Sequence, residues 1–242
     1  MESKRVTLFA GHYGSGKTNV ALNWARHLKL GGADRVSIAD LDIVNPYFRT
    51  KDSAAELKAE GIDLVVSEFA NSNVDFPAMP KEIYALVADR DAKVVMDVGG
   101  DDRGALALGR YVPELKAEGD YEMLAVVNGA RPLTRTAADT LEVLREIEAA
   151  CRLPFTGLVN NTNLGRETTA QTVLEGVAYA EAVSAASGLP VKFTCVAEPL
   201  AGELAGKVPN LFPLAIQTPY YQLKTSAAPI VRPDGQRCAA EA

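Results

Sequence analysis

The chain contains no run of about 18 apolar residues, the length that crosses a bilayer, and its C-terminal stretch has no apolar helical face. No membrane segment is therefore expected. Its three cysteines, Cys151, Cys195 and Cys238, stand far apart and outside any CxxC or zinc spacing. A cysteine metal site is not expected, and reduced, structural thiols are. No cluster of Lys and Arg occurs, and 25 basic against 31 acidic residues leave a net charge of −6. That balance argues against a surface built to neutralise nucleic-acid phosphates. No repeat and no Gly/Ser/Pro linker divides the middle of the chain. The charged segment Met1–Arg5 lacks a signal-peptide pattern and leads straight into a strand, so a soluble, cytoplasmic protein is expected.

What is present is a pattern for a substantial core. The 242 residues are 48% hydrophobic, which rules out global disorder and leaves room for one large domain or two small ones. Short apolar runs at Arg5–Gly11, Arg35–Asp42, Asp63–Phe69, Lys93–Gly99, Tyr121–Gly129, Phe155–Asn161 and Lys192–Glu198 read as strands. Helical patterns fall between them at Lys17–Leu30, Ser53–Glu60, Lys81–Ala88, Gly104–Lys116, Thr134–Ala150 and Thr168–Ser187. Several strands are apolar on both faces, as strands inside a helix-covered parallel sheet are. The expected fold is α/β: one doubly wound, mostly parallel sheet of about seven strands with helices on both faces. Residues 1–224 are expected to form this domain and 225–242, small, polar and Pro-containing, a loosely ordered tail.

The strand Val6–Ala10 runs into Gly11-His12-Tyr13-Gly14-Ser15-Gly16-Lys17-Thr18 and then a helix. This is the GxxxxGK(S/T) phosphate loop in the context its chemistry needs. Gly11, Gly14 and Gly16, with Ser15, let the backbone wrap a phosphate and turn N–H groups inward, and the helix N-terminus adds partial positive charge. Lys17 is placed for the β- and γ-phosphates and the Thr18 hydroxyl for Mg²⁺. ATP with Mg²⁺ is the expected ligand.

Hydrolysis also needs carboxylates, and two strand ends supply them. Asp97 ends an apolar strand, as a Walker B acid does, placed to hold Mg²⁺. Asp42, at the end of Asp40-Leu41-Asp42, is placed to help hold the metal or to take a proton from the attacking water. Asp101 is a second candidate for the water. Acids at strand ends also serve as ordinary turn and helix caps, a role open to Asp40, Asp101 and Asp102. Strand C-terminal ends are where open α/β sheets bind ligands.

The loop at 11–18, Asp-Leu-Asp at 40–42, Asp-Val-Gly-Gly-Asp at 97–101 and Gly157-Leu158-Val159-Asn160-Asn161 together resemble the MinD/ParA family of P-loop ATPases. That superfamily includes the nitrogenase iron protein, dethiobiotin synthetase and cobyrinic acid amidating enzymes. The resemblance covers roughly residues 5–220. It implies that Asp42 positions water, Asp97 is the magnesium acid and Asp101 the second switch acid. It also implies that Asn161 bonds the adenine and that Glu198-Pro199 belongs to the loop closing over it. A nucleotide-dependent homodimer and a protein partner follow by the same likeness.

Where that family has a signature lysine after the first loop glycine, this chain has His12. A neutral imidazole does not replace a permanent cation, and a protonated one does so only in part. His12 and Arg49 are the nearby substitutes in sequence, and Arg103 pairs naturally with Asp101 and Asp102. The dethiobiotin synthetase branch also lacks the lysine. Two functions follow: an ATPase, weak without its partner, that switches docking or cofactor delivery, or an ATP-dependent enzyme activating a small-molecule carboxylate.

Overall fold

The computed structural model describes residues 3–41, 53–66, 81–100 and 102–216. Its strands are β1 (Val6–Ala10), β2 (Val36–Leu41), β3 (Ile62–Val66), β4 (Lys93–Val98), β5 (Tyr121–Val127), β6 (Gly157–Asn160), β7 (Val191–Ala197) and β8 (Leu211–Leu214). Its helices are α1 (Lys17–Leu30), α2 (Ala54–Ala59), α3 (Lys81–Ala88), α4 (Asp102–Gly109), α5 (Val112–Glu118), α6 (Ala137–Cys151), α7 (Ala170–Ser187) and α8 (Glu198–Leu204). All strand pairings are parallel, in the order β3-β2-β4-β1-β5-β6-β7-β8.

The central strands β1, β2 and β5 are buried almost throughout, because their side chains feed two cores. On one face Leu8, Met96 and Ala125 pack with Ile83 of α3, Leu108 of α4, Leu115 of α5, Leu144 of α6 and Val183 of α7. On the other Phe9, Val95 and Val126 pack with Val20 and Trp24 of α1 and Leu57 of α2. Helices thus cover both faces of the sheet, as a doubly wound fold requires.

The sheet has eight strands where the sequence predicts about seven. The additional one, β8, contains Pro213, which offers no N–H to a ladder and is tolerated at an edge. Pro213 is exposed there, while Phe212 and Leu214 turn into the core. The helix predicted over 104–116 is two, α4 and α5, broken at Arg110 and Tyr111. Pro113 lies in the first turn of α5, where its missing N–H costs nothing, and Tyr111 is buried against Tyr84. The long helices α6 and α7 begin on capping boxes, Thr136 with Asp139 and Thr169 with Thr172.

Candidate functional site

The phosphate loop leaves β1 at Gly11, whose φ of 151° brings its Cα against the main-chain carbonyl of Val126 in β5. A Cβ there would overlap that oxygen. Gly16, with φ 89°, is the N-cap of α1 and carries no side chain to cap it. The first turn of α1 holds no acidic residue either, so its N–H groups and partial positive charge remain available to an anion. Ser15 N–H donates to His12 O at 3.1 Å, closing the loop. Lys17, buried, donates from Nζ to the same carbonyl at 3.3 Å, and Thr18 is buried beside it.

Asn161 completes the loop from 146 residues away. Its Nδ2 donates to Ser15 O at 2.7 Å and lies against Gly16 where a Cβ would stand. Its own N–H donates to Val127 O at 2.8 Å. The side chain expected at the adenine therefore also clamps the phosphate loop. Around it, Asn160 Oδ1 accepts from Thr162 N–H, Thr162 Oγ1 accepts from Gly129 N–H, and Asn128 Oδ1 accepts from Ala130 N–H. The ends of β5 and β6 are thus tied into one satisfied polar network.

Asp97 lies at the end of β4, buried, in register with Phe9 of β1 and Asp40 of β2. Phe9 and Val95 pack on the α1 face, so Asp97 and Asp40 are carried on the face that also bears Lys17 and Thr18. The loop after β4 returns to the phosphate loop at Gly100. A Cβ on Gly100 would lie 2.7 Å from Lys17 Nζ and 2.8 Å from Tyr13 N. Asp42, Asp101 and Arg49 lie outside the described residues. No group of three or more His, Cys, Asp or Glu that could hold a metal ion occurs among the described residues. Asp97 and Thr18 offer oxygen alone, the donor type that a hard cation such as Mg²⁺ takes.

A cavity of about 400 Å³ opens from the loop across the ends of β6, β7 and β8. Gly14, Lys17 and Thr18 line one end; Val173, Cys195, Ala197, Leu214 and Ile216 line the other. Burial pushes the Cys195 thiol up, so it lines the wall as a neutral apolar group. Glu198 and Pro199 follow Ala197 as the exposed first turn of α8. The His12 ring turns to its own loop: its Nδ1 lies 2.8 Å from Tyr13 O, and since a carbonyl only accepts, that nitrogen carries the proton. Arg131, in the turn after β5, lines the cavity. Sequence reasoning passes over it. The signal that finds it is position, an arginine in a Gly-Ala-Arg-Pro turn at the C-terminal end of a central strand.

No helix among the described residues is long and apolar enough to cross a membrane. No family model and no curated protein matches the chain. Solved structures do. FtsY of Mycoplasma mycoides is 16% identical with a TM-score of 0.53, over 81% of this chain and 62% of that one. Cell division protein FtsY of Thermotoga maritima is 20% identical with a TM-score of 0.51, over 81% and 63%. Signal recognition particle 54 kDa protein of Aeropyrum pernix, in complex with GDP, is 18% identical with a TM-score of 0.52, over 80% and 41%. The chain thus spans less than two thirds of the length of each. These are signal-recognition-particle proteins, a different branch from the MinD/ParA group that the motifs resemble. A phosphate loop between β1 and α1, eight parallel strands and these likenesses give the chain the P-loop NTPase fold.

Proposed function

We propose that the chain binds ATP with Mg²⁺ in this cavity and hydrolyses it to ADP and phosphate, as a nucleotide-dependent switch of the MinD/ParA type. The observation that supports the reading best is the cavity's polarity: a phosphate loop with Lys17 at one end and an apolar wall at the other. A nucleotide has the same polarity, charged at the phosphates and flat and weakly polar at the base. The volume falls in the range of small-molecule sites.

Adenine is favoured over guanine by the lining. Guanine presents N1–H and N2–H groups, which a buried carboxylate accepts best. Among the described lining residues none is Asp or Glu; the polar side chains near the base end are Asn and Thr. In this reading Lys17 gives up its bond to His12 O for phosphate oxygens, Thr18, Asp97 and Asp42 hold the cation, and Asp42 or Asp101 positions water. Magnesium, when bound, offsets negative charge on the phosphate oxygens. Asn161 shapes the loop beside the base, with Glu198 and Pro199 behind it. The working unit is a cytoplasmic homodimer that forms with ATP and docks a protein partner. Its turnover alone is slow because His12 stands where the signature lysine would.

Competition between labelled ATP and GTP in the presence of Mg²⁺ tests the assignment. ATP should bind at least about tenfold more tightly, the worth of one mismatched buried polar group. Lys17→Ala should lose at least about tenfold, since it removes charge-assisted bonds. Equal affinity for the two nucleotides overturns the base assignment, and an unchanged Lys17→Ala overturns the site.

A further inference from the structure

The cavity holds a second cation that the loop motif does not account for. Arg131 lines it together with Gly14, Lys17 and Asn161. Its Nε lies 3.9 Å from the point that a Cβ on Gly14 would occupy, so the guanidinium lies beside the middle of the phosphate loop. That Nε is buried and makes no hydrogen bond. A buried donor of a charged group with no acceptor is costly, and such a group is retained where something else completes it.

We propose that Arg131 is a phosphate-binding residue, donating from its guanidinium to the polyphosphate of a nucleotide lying on the loop. This rests on the nucleotide reading of the same cavity. Three features support it beyond proximity. The backbone that carries Arg131 is fixed in advance: its N–H donates to Asn128 O at 3.1 Å, its own carbonyl accepts from Thr134 N–H at 3.2 Å, and Pro132 follows. The preceding Gly129 and Ala130 are held by Thr162 and Asn128 at 3.1 and 3.0 Å. A turn so constrained holds the Arg131 backbone in place before a ligand binds.

The second feature is electrostatic. Among the described residues no carboxylate shares the lining with the guanidinium. The third is chemical: a planar fork of N–H donors matches phosphate oxygens two at a time, which an ammonium does not. Arg131 thereby supplies positive charge in cis, from the β5 side, in a chain whose loop has His12 in place of a second lysine.

Calorimetric titration of the full chain with ATP, ADP and adenosine tests this, using wild type, Arg131→Ala, Arg131→Lys and Lys17→Ala. Arg131→Ala should weaken ATP and ADP by about tenfold or more and leave adenosine unchanged, because only the phosphates are contacted. Arg131→Lys should recover part of the loss, since charge returns without the fork. The melting temperature of each ligand-free variant should stay near wild type, which separates a ligand contact from a structural one. If Lys17→Ala loses affinity while Arg131→Ala and Arg131→Lys both bind ATP like wild type, the proposal fails and the nucleotide site stands. An equal loss for adenosine also overturns it, assigning Arg131 to the base. A wild type that binds neither ATP nor ADP overturns both.

Discussion

Gly100 carries only hydrogens on its α-carbon because the phosphate loop occupies the space around it. The nearest atoms to an added methyl are the Lys17 ammonium at 2.7 Å and the Tyr13 main chain at 2.8 and 2.9 Å. The lysine tip can swing aside, but the backbone of a closed loop cannot without changing its own hydrogen bonds. Gly100→Ala should therefore push the phosphate loop out of shape while sparing the cores. Nucleotide affinity should fall by about tenfold or more, equivalent to some 1.4 kcal/mol, with a smaller change in melting temperature. Unchanged ATP affinity in that variant would show that the loop after β4 moves away freely. The phosphate loop itself was legible in the sequence because its eight positions are contiguous. Arg131 was not, because it belongs to no contiguous motif and only the pairing of β1 with β5 brings it to Gly14. Asn161 was expected at the site from its place after a strand, yet its bond to Ser15 needed the fold.

Two polar devices tie the strands to the helices, the first at the end of β1 away from the site. Arg5, immediately before β1, is buried and spreads its guanidinium over the end of α3, donating to Val87 O at 2.5 Å and to Asp89 O at 2.7 Å. Its Nε pairs with Glu118 at 2.7 Å, both side chains being almost wholly buried. The arginine thereby satisfies carbonyls that the helix end leaves open and ties α3, β1 and α5 together. Arg5→Met leaves those carbonyls without their donor and Glu118 with only its 3.5 Å pairing to the exposed Arg90, at a cost of about 3–5 kcal/mol. Urea unfolding reads this directly, and a loss below about 1 kcal/mol would place the ion pair among those of no net worth. At the opposite edge, Asn23 of α1 accepts from Ala215 N–H and donates to Ala215 O, at 2.9 and 3.0 Å, as a neighbouring strand would. That bond holds the end of β8, and with it the apolar wall at Leu214 and Ile216, against α1. Apolar runs revealed seven strands; β8 stayed hidden because it is four residues long, contains Pro213 and gains its place from Trp24, Phe193 and Phe212 packing together.

The assembled sheet presents the cavity mouth with an apolar rim. Tyr13, Leu133, Leu164 and Ile216 are all exposed, on or beside segments that line it. A surface of this kind favours association, and a bound γ-phosphate shared between two copies adds energy only in the joined state. Sedimentation should show a dimer with a non-hydrolysable ATP analogue and a monomer with ADP. A monomer with both, together with fast turnover alone, would favour the carboxylate-activating enzyme. The α/β class and the parallel sheet were legible because alternation of buried strands with amphipathic helices is a local pattern. The order of strands was not, since Val6 of β1 is flanked by Val94 of β4 and Tyr121 of β5, both distant in sequence. The clamp from Asn161 to Ser15 carries this separation further. As the chain emerges from a ribosome, the glycine-rich motif is made 146 residues before Asn161, and it gains this bond only when β6 docks. A truncated product ending before β6 would thus display the phosphate-loop sequence without its clamp.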